Sequence, residues 1–219
     1  SIKVLNKVCL EMRAGERLAI IGPSGSGKST ILRLLAGLIL PSNGSLKISA
    51  KDQEYLRLDQ NDPPDVRLVF QNPALLASLT VRENVGFLLE KQKVYSQKII
   101  HKKVIKCLQQ VGLFDVAEKF PNQLSGGMQK RVSFARALIS DSKKEKDSIP
   151  LLLYDEPTAG LDPIACTRIE DLIIKTTNVA AGCSIVVSHV SSTIERTANR
   201  VILLYDGKFQ WDGSIDQFK

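Results

Sequence analysis

Residues 22–29, with the sequence GPSGSGKS, fit the phosphate-binding pattern G-x-x-x-x-G-K-[ST]. Apolar residues just before this segment predict a buried strand at 18–21, and leucines and isoleucines at helical spacing predict a helix at 30–38. Glycines let backbone N–H groups turn inward at the start of such a helix, where the helix dipole also favours an anion. The segment therefore predicts a binding site for a nucleoside triphosphate.

The residue types in this loop each have a use in phosphate chemistry. Lys28 would reach the outer phosphates, and the hydroxyl of Ser29 would ligate Mg²⁺. A glycine-rich turn that matches the pattern by chance is the alternative, and the strand and helix predicted on either side count against it. The predicted nucleotide-binding residues of the loop are Gly22, Pro23, Ser24, Gly25, Ser26, Gly27, Lys28, Ser29 and Thr30.

Two adjacent carboxylates, Asp155 and Glu156, follow an apolar run at 151–154 that predicts a buried strand. In an open α/β sheet, the loops that follow the strands gather around the ligand. Asp155 would interact with Mg²⁺ from the second coordination shell or through a bound water. This leaves Glu156 to orient or deprotonate the attacking water. A pair of solvated acids in a turn is the alternative, which the phosphate loop in the same chain disfavours.

A second predicted anion site lies at Ser125, Gly126 and Gly127, where a serine can cap a helix that follows. The apolar positions of this helix keep helical spacing: Met128, Val132, Ala135 and Leu138. Taken alone, a Ser-Gly-Gly segment is equally well explained as an ordinary turn. Its meaning therefore depends on the other motifs of the chain.

The elements around these motifs predict an α/β fold with a mainly parallel sheet. Short apolar runs without alternation occur at 66–70, 151–154, 184–188 and 201–205, as expected for strands buried on both faces. Helical patterns at 167–175 and 191–198 separate the last of them. Weak alternation at 3–13 and a short run at 45–49 predict antiparallel strands beside this sheet, and Asp206-Gly207 predicts a late hairpin turn.

Between 72 and 139 the composition changes, because β-branched runs disappear and helix-forming residues dominate. We predict an inserted helical subdomain there, with helices at 81–89 and 96–111 and a break at Pro121. The second helix should bury one apolar side, formed by Ile99, Ile100, Val104, Ile105 and Leu108. The polar stretch 140–148 predicts an exposed loop.

Composition narrows the possible classes of protein. The 219 residues, 43% of them hydrophobic, suit one domain at 1–219, and the longest apolar run, 34–40, is far shorter than the roughly 20 residues of a spanning helix. Four cysteines without a C-x-x-C pair favour free thiols. A net charge of +7 permits an anionic partner, but with 5% aromatic residues and no long basic block we expect a solvated basic surface and no nucleic acid.

The phosphate loop, the Asp-Glu strand and the LSGGMQKR segment at 124–131 together resemble the ATP-binding cassette (ABC) ATPases. The resemblance covers essentially the whole chain and implies a P-loop NTPase fold with an N-terminal antiparallel β subdomain and the helical subdomain at about 72–139. It implies a Q-loop glutamine at Gln71, which binds Mg²⁺ or water and senses the transporter. It also implies a D-loop at 159–162, with Asp162 at the nucleotide, and a switch histidine at His189 that contacts the γ-phosphate.

The same resemblance implies a mechanism that one copy of the chain cannot complete. Two copies would form a homodimer head to tail, with Ser125, Gly126 and Gly127 of one copy covering the ATP and Mg²⁺ held by the phosphate loop of the other. Glu156 would be the base and His189 would stabilise the transferred phosphoryl group. Opening and closing would then drive a transmembrane permease through a groove near Gln71 and the helical subdomain.

Met128, at a position where most signature motifs carry glutamine, narrows the resemblance. Together with 70–76 and 79–85, this signature resembles the ATPases of MCE-type lipid transporters, such as the bacterial Mla phospholipid system. The segment at 151–165 and the polar loop before it resemble more closely the chloroplast trigalactosyldiacylglycerol (TGD) lipid importer ATPase. This implies a permease and an MCE-type lipid-binding subunit as partners. The place implied is the stromal side of the inner envelope membrane, or the cytoplasmic side of a bacterial inner membrane.

Three other functions remain open at this point: an importer ATPase for a polar solute, a soluble ABC ATPase acting on nucleic acid or ribosomes, and a cassette that binds ATP without turnover. Glutamine at 128 would be expected in the first, and a second cassette or long coiled-coil insertions in the second. The third conflicts with the presence of Lys28, Asp155, Glu156 and His189. The family's adenine-stacking aromatic residue is expected upstream of residue 1, since no aromatic residue precedes Tyr55.

Overall fold

The computed structural model describes residues 4–50, 53–55, 65–93, 95–139, 150–180 and 182–218. Its strands are β1 (Arg17–Ile21), β2 (Ile48–Ala50), β3 (Gln53–Tyr55), β4 (Val66–Val69), β5 (Leu151–Asp155), β6 (Cys183–Val187), β7 (Arg200–Tyr205) and β8 (Lys208–Ser214). Its helices are α1 (Lys28–Leu35), α2 (Val81–Gln92), α3 (Gln97–Gln110), α4 (Gly126–Leu138), α5 (Pro163–Ala180), α6 (Ser191–Thr197) and α7 (Ile215–Phe218), with a 3₁₀ turn at Pro121–Gln123.

Six strands form the central sheet in the order β4-β5-β6-β1-β7-β8. The first five run parallel to one another, and β8 is antiparallel to β7. Leu18, Ala19 and Ile20 in β1 are completely buried, as expected for a strand covered on both faces. The predicted α/β fold with a mainly parallel core sheet is confirmed.

Turn residues end β7 where the sequence predicts it and end α1 earlier than predicted. The β7–β8 hairpin turns at Asp206 and Gly207, whose φ angles of 47° and 66° suit a two-residue hairpin turn that matches the strand twist. Helix α1 begins at Lys28 and stops at Leu35, earlier than the predicted end at residue 38. Gly37 ends it with a φ of 67°, and the next amide, Leu38 N, donates to Arg33 O at 2.9 Å.

The segment from residue 4 to residue 13 is not a strand, so the strand predicted at 3–13 is wrong over the described residues. Lys7 has a φ of 51°, which interrupts an extended conformation. Apolar side chains here, among them Leu5 and Leu10, nevertheless pack against the core beside β1. The alternation therefore reflects burial and not a strand, and the antiparallel pair that forms outside the central sheet is β2 with β3.

Three helices, α2, α3 and α4, lie between β4 and β5 and share one apolar core with the sheet. Thr80 starts α2 with a capping box, in which its side chain accepts from Glu83 N while the Glu83 carboxylate accepts from Thr80 N. In α3 the predicted apolar side is partly wrong, because Ile99 is 46% exposed and Cys107 is buried. The position of this helix against its neighbours, and not the count of apolar residues, sets which face is covered.

Other predictions have mixed outcomes. Helix α5 is longer than the predicted 167–175, and the break at Pro121 is the 3₁₀ turn. The four cysteines are free thiols. The polar loop predicted at 140–148 lies outside the described residues, and the subdomain boundaries at 72 and 139 remain a prediction. Within the described part of the chain, no helix has the length and apolar character needed to cross a bilayer.

Candidate functional site

Four parallel strands end at one edge of the sheet, and each is followed by a predicted site segment. The phosphate loop follows β1, Gln71 lies just beyond β4, Asp155 and Glu156 stand at the end of β5, and His189 comes after β6. In the sheet, β5 and β6 are neighbours and β1 pairs with β6. The carboxyl edge of the sheet therefore gathers segments that are far apart in the chain.

The backbone of the phosphate loop requires glycine at two positions. Gly22 and Gly27 have φ angles of 149° and 104°. A Cβ at Gly22 would collide with the carbonyl oxygen of Leu204, and one at Gly27 would lie 2.9 Å from a methyl of Leu5. Pro23, Ser24 and Gly25 are exposed at the tip, while Ser29 and Thr30 are half-buried in the first turn of α1. Positive φ and close backbone approach thus account for the glycine pattern.

The ammonium group of Lys28 is held inside its own loop. Its Nζ donates to Gly22 O at 2.8 Å and to Pro23 O at 2.7 Å, and the residue is only 7% exposed. Burial lowers the pKa of Lys28, while the negative charges of Glu156 and Asp155 act in the opposite direction. The lysine charge is therefore positioned between the loop and the two carboxylates.

Glu156 and His189 meet at this edge. Nε2 of His189 lies 3.3 Å from Oε1 of Glu156, yet Oε1 is buried and has no hydrogen bond among the described residues. Burial raises the pKa of Glu156, and His189 opposes this effect. The Glu156 amide continues the sheet ladder by donating to Val187 O, but its φ is 48°. Apart from the long contact with His189, Oε1 has no donor among the described residues, which suits an oxygen that can accept from a ligand or water.

The other predicted residues are placed differently. Gln71 is exposed beside the site, and Ser125 and Gly126 are exposed at the start of α4. The Ser125 hydroxyl accepts from Met128 N at 3.3 Å, so the predicted helix cap is present. Within the described part of the chain, no hydrogen bond or ion pair joins residues 125–127 to the phosphate loop. In a single copy, the two predicted anion sites are therefore not bonded to each other within the described part of the chain.

Asp162 has a local structural partner. Its Oδ1 accepts from Ala165 N at 2.9 Å, which caps α5 ahead of Pro163 at the first helical position. The carboxylate is exposed. A nucleotide contact of Asp162 stays a prediction, while its capping bond is formed within the chain itself.

One site residue that the sequence analysis missed is Lys130 in α4. It is 5% exposed, and its Nζ donates to the carbonyl oxygens of Glu156 and Ala159 at 2.7 Å each. Burial lowers the pKa of Lys130, which the charge of Glu156 opposes. The sequence contains little signal for this contact, because a lysine between apolar helix positions usually faces solvent.

A buried hydrogen-bond network behind the site was also missed. Thr193 in α6 donates to Glu170 in α5 at 2.8 Å, and its hydroxyl lies 2.9 Å from that of Thr158. Arg196 pairs with the other carboxylate oxygen of Glu170 at 3.0 Å. The network ties the segment after Glu156 to the helix that follows His189. Only the packing of α5 against α6 brings these residue types together.

Comparison with known proteins agrees with this geometry. A family model described as ABC transporter matches residues 5–159. Protein TRIGALACTOSYLDIACYLGLYCEROL 3, chloroplastic, of Arabidopsis thaliana is 46% identical over 98% of the chain, which spans 65% of that protein's length. A probable sulfate/thiosulfate import ATP-binding protein, CysA, of Chlorella vulgaris is 36% identical over 99% of the chain and 87% of its own length.

Among solved structures, the dimeric ATP-binding cassette MJ0796 in a post-hydrolysis state, bound to ADP and Pi, has a similar fold. Its TM-score is 0.83 at 31% identity, with 97% of this chain and 90% of that chain covered. The similarity thus extends over the sheet and the helices that surround the site.

Proposed function

Because the chain belongs to the ABC transporter family and is an ATPase domain of that family, we propose that it powers the transfer of a lipid across a membrane through a permease partner. The observation that carries this proposal is the 46% identity, over nearly the whole chain, to a chloroplastic protein named for a galactolipid. The signature with Met128 supports the same lipid-transporter type. The proposed place is the stromal face of the inner envelope membrane, with an MCE-type subunit as a further partner.

In the proposed site, residues 22–30 bind the phosphates of ATP and Lys28 contacts the outer ones. Ser29, Gln71 and Asp155 would hold Mg²⁺, and their hydroxyl, amide and carboxylate oxygens are the hard donors that this ion prefers. When bound, Mg²⁺ neutralises charge on the β- and γ-phosphates. The described residues contain no cluster of three or more His, Cys, Asp or Glu side chains, so nucleotide oxygens would have to complete the coordination.

Glu156 is proposed as the base that takes a proton from the attacking water. Its orphaned, buried Oε1 can accept that hydrogen bond, and the raised pKa, caused first by burial, brings its basicity nearer to what proton transfer requires. His189, 3.3 Å away, is proposed to contact the transferred phosphoryl group. Lys28 and His189 would stabilise the negative charge on the phosphoryl group in the transition state and so lower the activation barrier of hydrolysis.

The proposed working unit is a head-to-tail homodimer. Ser125 and Gly126 are exposed in one copy and have no bond to its own phosphate loop, which leaves them available to cover ATP on a second copy. A dimeric solved relative supports this arrangement. In it, Asp162 and the D-loop would lie near the partner, and ATP would join the two copies until it is hydrolysed.

The variant Glu156→Gln tests the catalytic assignment. We expect phosphate release to fall by about 100-fold or more, because the general base is lost. ATP binding should persist, since the groups that bind the phosphates are unchanged, and an ATP-stabilised dimer should accumulate in light scattering. Glu118→Gln is the control, because Glu118 is an exposed carboxylate between α3 and the 3₁₀ turn that pairs with Arg82, and it should leave turnover unchanged. Wild-type turnover in Glu156→Gln would show that the base is another residue.

The lipid assignment needs the membrane partner. The chain would be purified with its permease from membranes, bound lipids identified, and the complex reconstituted in vesicles with labelled forms of those lipids. ATP-dependent lipid transfer that disappears with Glu156→Gln is the expected result. A complex that moves no lipid, and whose ATPase rate does not respond to lipid, would contradict the proposal.

An importer ATPase for a polar solute is the second candidate. Its support is the CysA relative, which the chain matches over 87% of that protein's length. Met128 counts against it, since glutamine is expected there in that group. In the same vesicles, ATP-dependent uptake of sulfate without lipid transfer would favour this second function.

A further inference from the structure

Lys130 is a buried cation whose cost must be offset. It is 5% exposed, and among the described residues it has no ion pair. Its ammonium instead donates to the two carbonyl oxygens of Glu156 and Ala159, each at 2.7 Å. An apolar side chain would fill this part of α4 without a desolvation penalty, so packing alone does not explain a lysine here. Unlike an apolar side chain, the lysine supplies hydrogen-bond donors for these two carbonyl oxygens.

The two carbonyls belong to the turn that carries Glu156. Glu156 has a φ of 48°, a left-handed conformation that is strained for a residue with a Cβ. The bond that closes the turn within the backbone is long, because Ala159 N lies 3.3 Å from Glu156 O. The Lys130 ammonium makes shorter, charge-assisted bonds at both ends of the same turn. It therefore holds the peptide whose orientation aims the Glu156 side chain.

The first turn of α4 approaches the same loop. A Cβ added to Gly127 would lie 3.4 Å from a methyl of Leu161. The helix that starts with Ser125 is thus in contact with the segment that begins at Glu156, and Lys130 is the bonded link between them.

We propose that Lys130 is a positioning residue for ATP hydrolysis: by bonding Glu156 O and Ala159 O it holds the strained peptide of Glu156 so that the carboxylate faces the attacking water, and it joins this peptide to the helix of residues 125–127. The inference rests on the proposed role of Glu156 as base. Lys130 itself contacts no substrate, so it acts through Glu156.

The variant Lys130→Met tests this, because it keeps the apolar stem and removes the donors. We expect kcat to fall about 10- to 100-fold, as for a reacting group displaced by about 1 Å, while the Kd for ATP changes less than about twofold. Lys130→Arg, which keeps a cation with several donors, should recover part of kcat. If Lys130→Met does not fold, Lys130→Leu, which also lacks donors, is judged by the same criteria.

Arg131→Met is the matched control. Arg131 is the next residue of α4 and also bonds backbone carbonyls, but those of Val111 and Gly112, away from Glu156. This control should keep kcat within about twofold even if its stability falls by the ordinary cost of lost hydrogen bonds. Wild-type kcat in Lys130→Met, an equal fall in the control, or a fall explained by lost ATP affinity would each overturn the inference.

A second experiment separates this inference from the function on which it rests. In the Glu156→Gln background, adding Lys130→Met should leave the ATP-stabilised dimer intact, because the lysine acts on the base. Loss of that dimer would assign Lys130 to the interface instead and overturn the inference. Wild-type turnover in Glu156→Gln alone would overturn the base assignment as well, whereas wild-type turnover in Lys130→Met alone would overturn only the inference.

Discussion

The Glu156 carboxylate is buried, and its Oε1 lacks a hydrogen bond in the described structure. Nε2 of the His189 imidazole lies 3.3 Å from this oxygen. Burial of this carboxylate lowers the stability of the fold, because it disfavours the ionised form relative to the unfolded chain. The strained φ of 48° at the same residue adds to this cost. The burial and backbone conformation that suit Glu156 to its proposed role therefore lower the stability of the folded chain.

The pH dependence of stability follows from the raised pKa of Glu156, which burial causes. Between the ordinary carboxyl pKa and the raised one, the folded state binds more protons than the unfolded state, so this residue makes stability fall as pH rises. We expect Glu156→Gln to have a higher Tm than the wild type at about pH 8, and the difference to shrink toward about pH 4.

Thermal unfolding of both proteins across that pH range measures the effect. Glu118→Gln serves as the control, since its carboxylate is largely exposed and should give a small difference without this trend. A Glu156→Gln protein that is less stable than the wild type at the high-pH end would contradict the argument from burial.

At the scale of elements, side chains join segments that the strands and helices leave unconnected. The network of Thr158, Thr193 and Glu170 ties the turn after β5 to α5 and α6. Asn84, in the first turns of α2, does the same for the loop that follows Gln71. It is 1% exposed, its Oδ1 accepts from Leu76 N, and its Nδ2 donates to carbonyls including that of Leu79. These bonds keep the loops at the sheet edge in place.

Replacing Asn84 by alanine should destabilise the chain by about 1–3 kcal/mol, because buried backbone groups of the loop lose their partners. Urea denaturation measures this as a lower midpoint with an unchanged slope. Asn178→Ala is the matched control, since Asn178 is exposed on α5 and accepts one long, exposed hydrogen bond, from Arg17 at 3.3 Å, so its loss should cost no more than about 0.5 kcal/mol. Equal effects of the two variants would mean that the Asn84 bonds contribute little.

At the scale of the whole molecule, the proposed dimer would take halves of two different sites from each copy. The phosphate loop lies at the carboxyl edge of the sheet with Lys28 and Glu156, while residues 125–127 begin α4 and have no bond to that loop in the described structure. Gly126 has no neighbouring atom within 4 Å of the place where a Cβ would be. Open space at this position is consistent with a surface to which a second copy binds.

Gly126→Asp tests this surface. The side chain fits without collision and a carboxylate suits the first turn of a helix, so the monomer should fold and bind ATP as before. Facing the γ-phosphate of a second copy, the added negative charge should cost several kcal/mol of association. In the Glu156→Gln background, light scattering should then show no ATP-dependent dimer.

The matched control for this variant is Gln97→Glu, which adds one carboxylate to the first turn of α3 at an exposed position. It should dimerise normally. ATP-dependent dimers of Gly126→Asp at wild-type concentration would contradict the head-to-tail arrangement, since the like charges would then not meet.

The sequence by itself determined the features that depend on neighbours along the chain. The phosphate loop, the strand before Asp155, the Ser125 cap and the hairpin at Asp206 follow from glycine conformation, short apolar runs and local hydrogen bonds, which act over a few residues. The structure bears out these elements, and the family comparison bears out the type of ATPase. The roles of individual site residues stay predictions.

The tertiary structure alone decided which distant groups meet. Lys130 bonds the carbonyl of a residue 26 positions away, and Thr193 bonds a glutamate 23 positions away. Packing also left Ile99 exposed, buried Cys107, and turned residues 4–13 into a packed segment without a strand. A local pattern reports how apolar a face is, but burial, pKa shifts and long-range hydrogen bonds depend on what the completed fold places against that face.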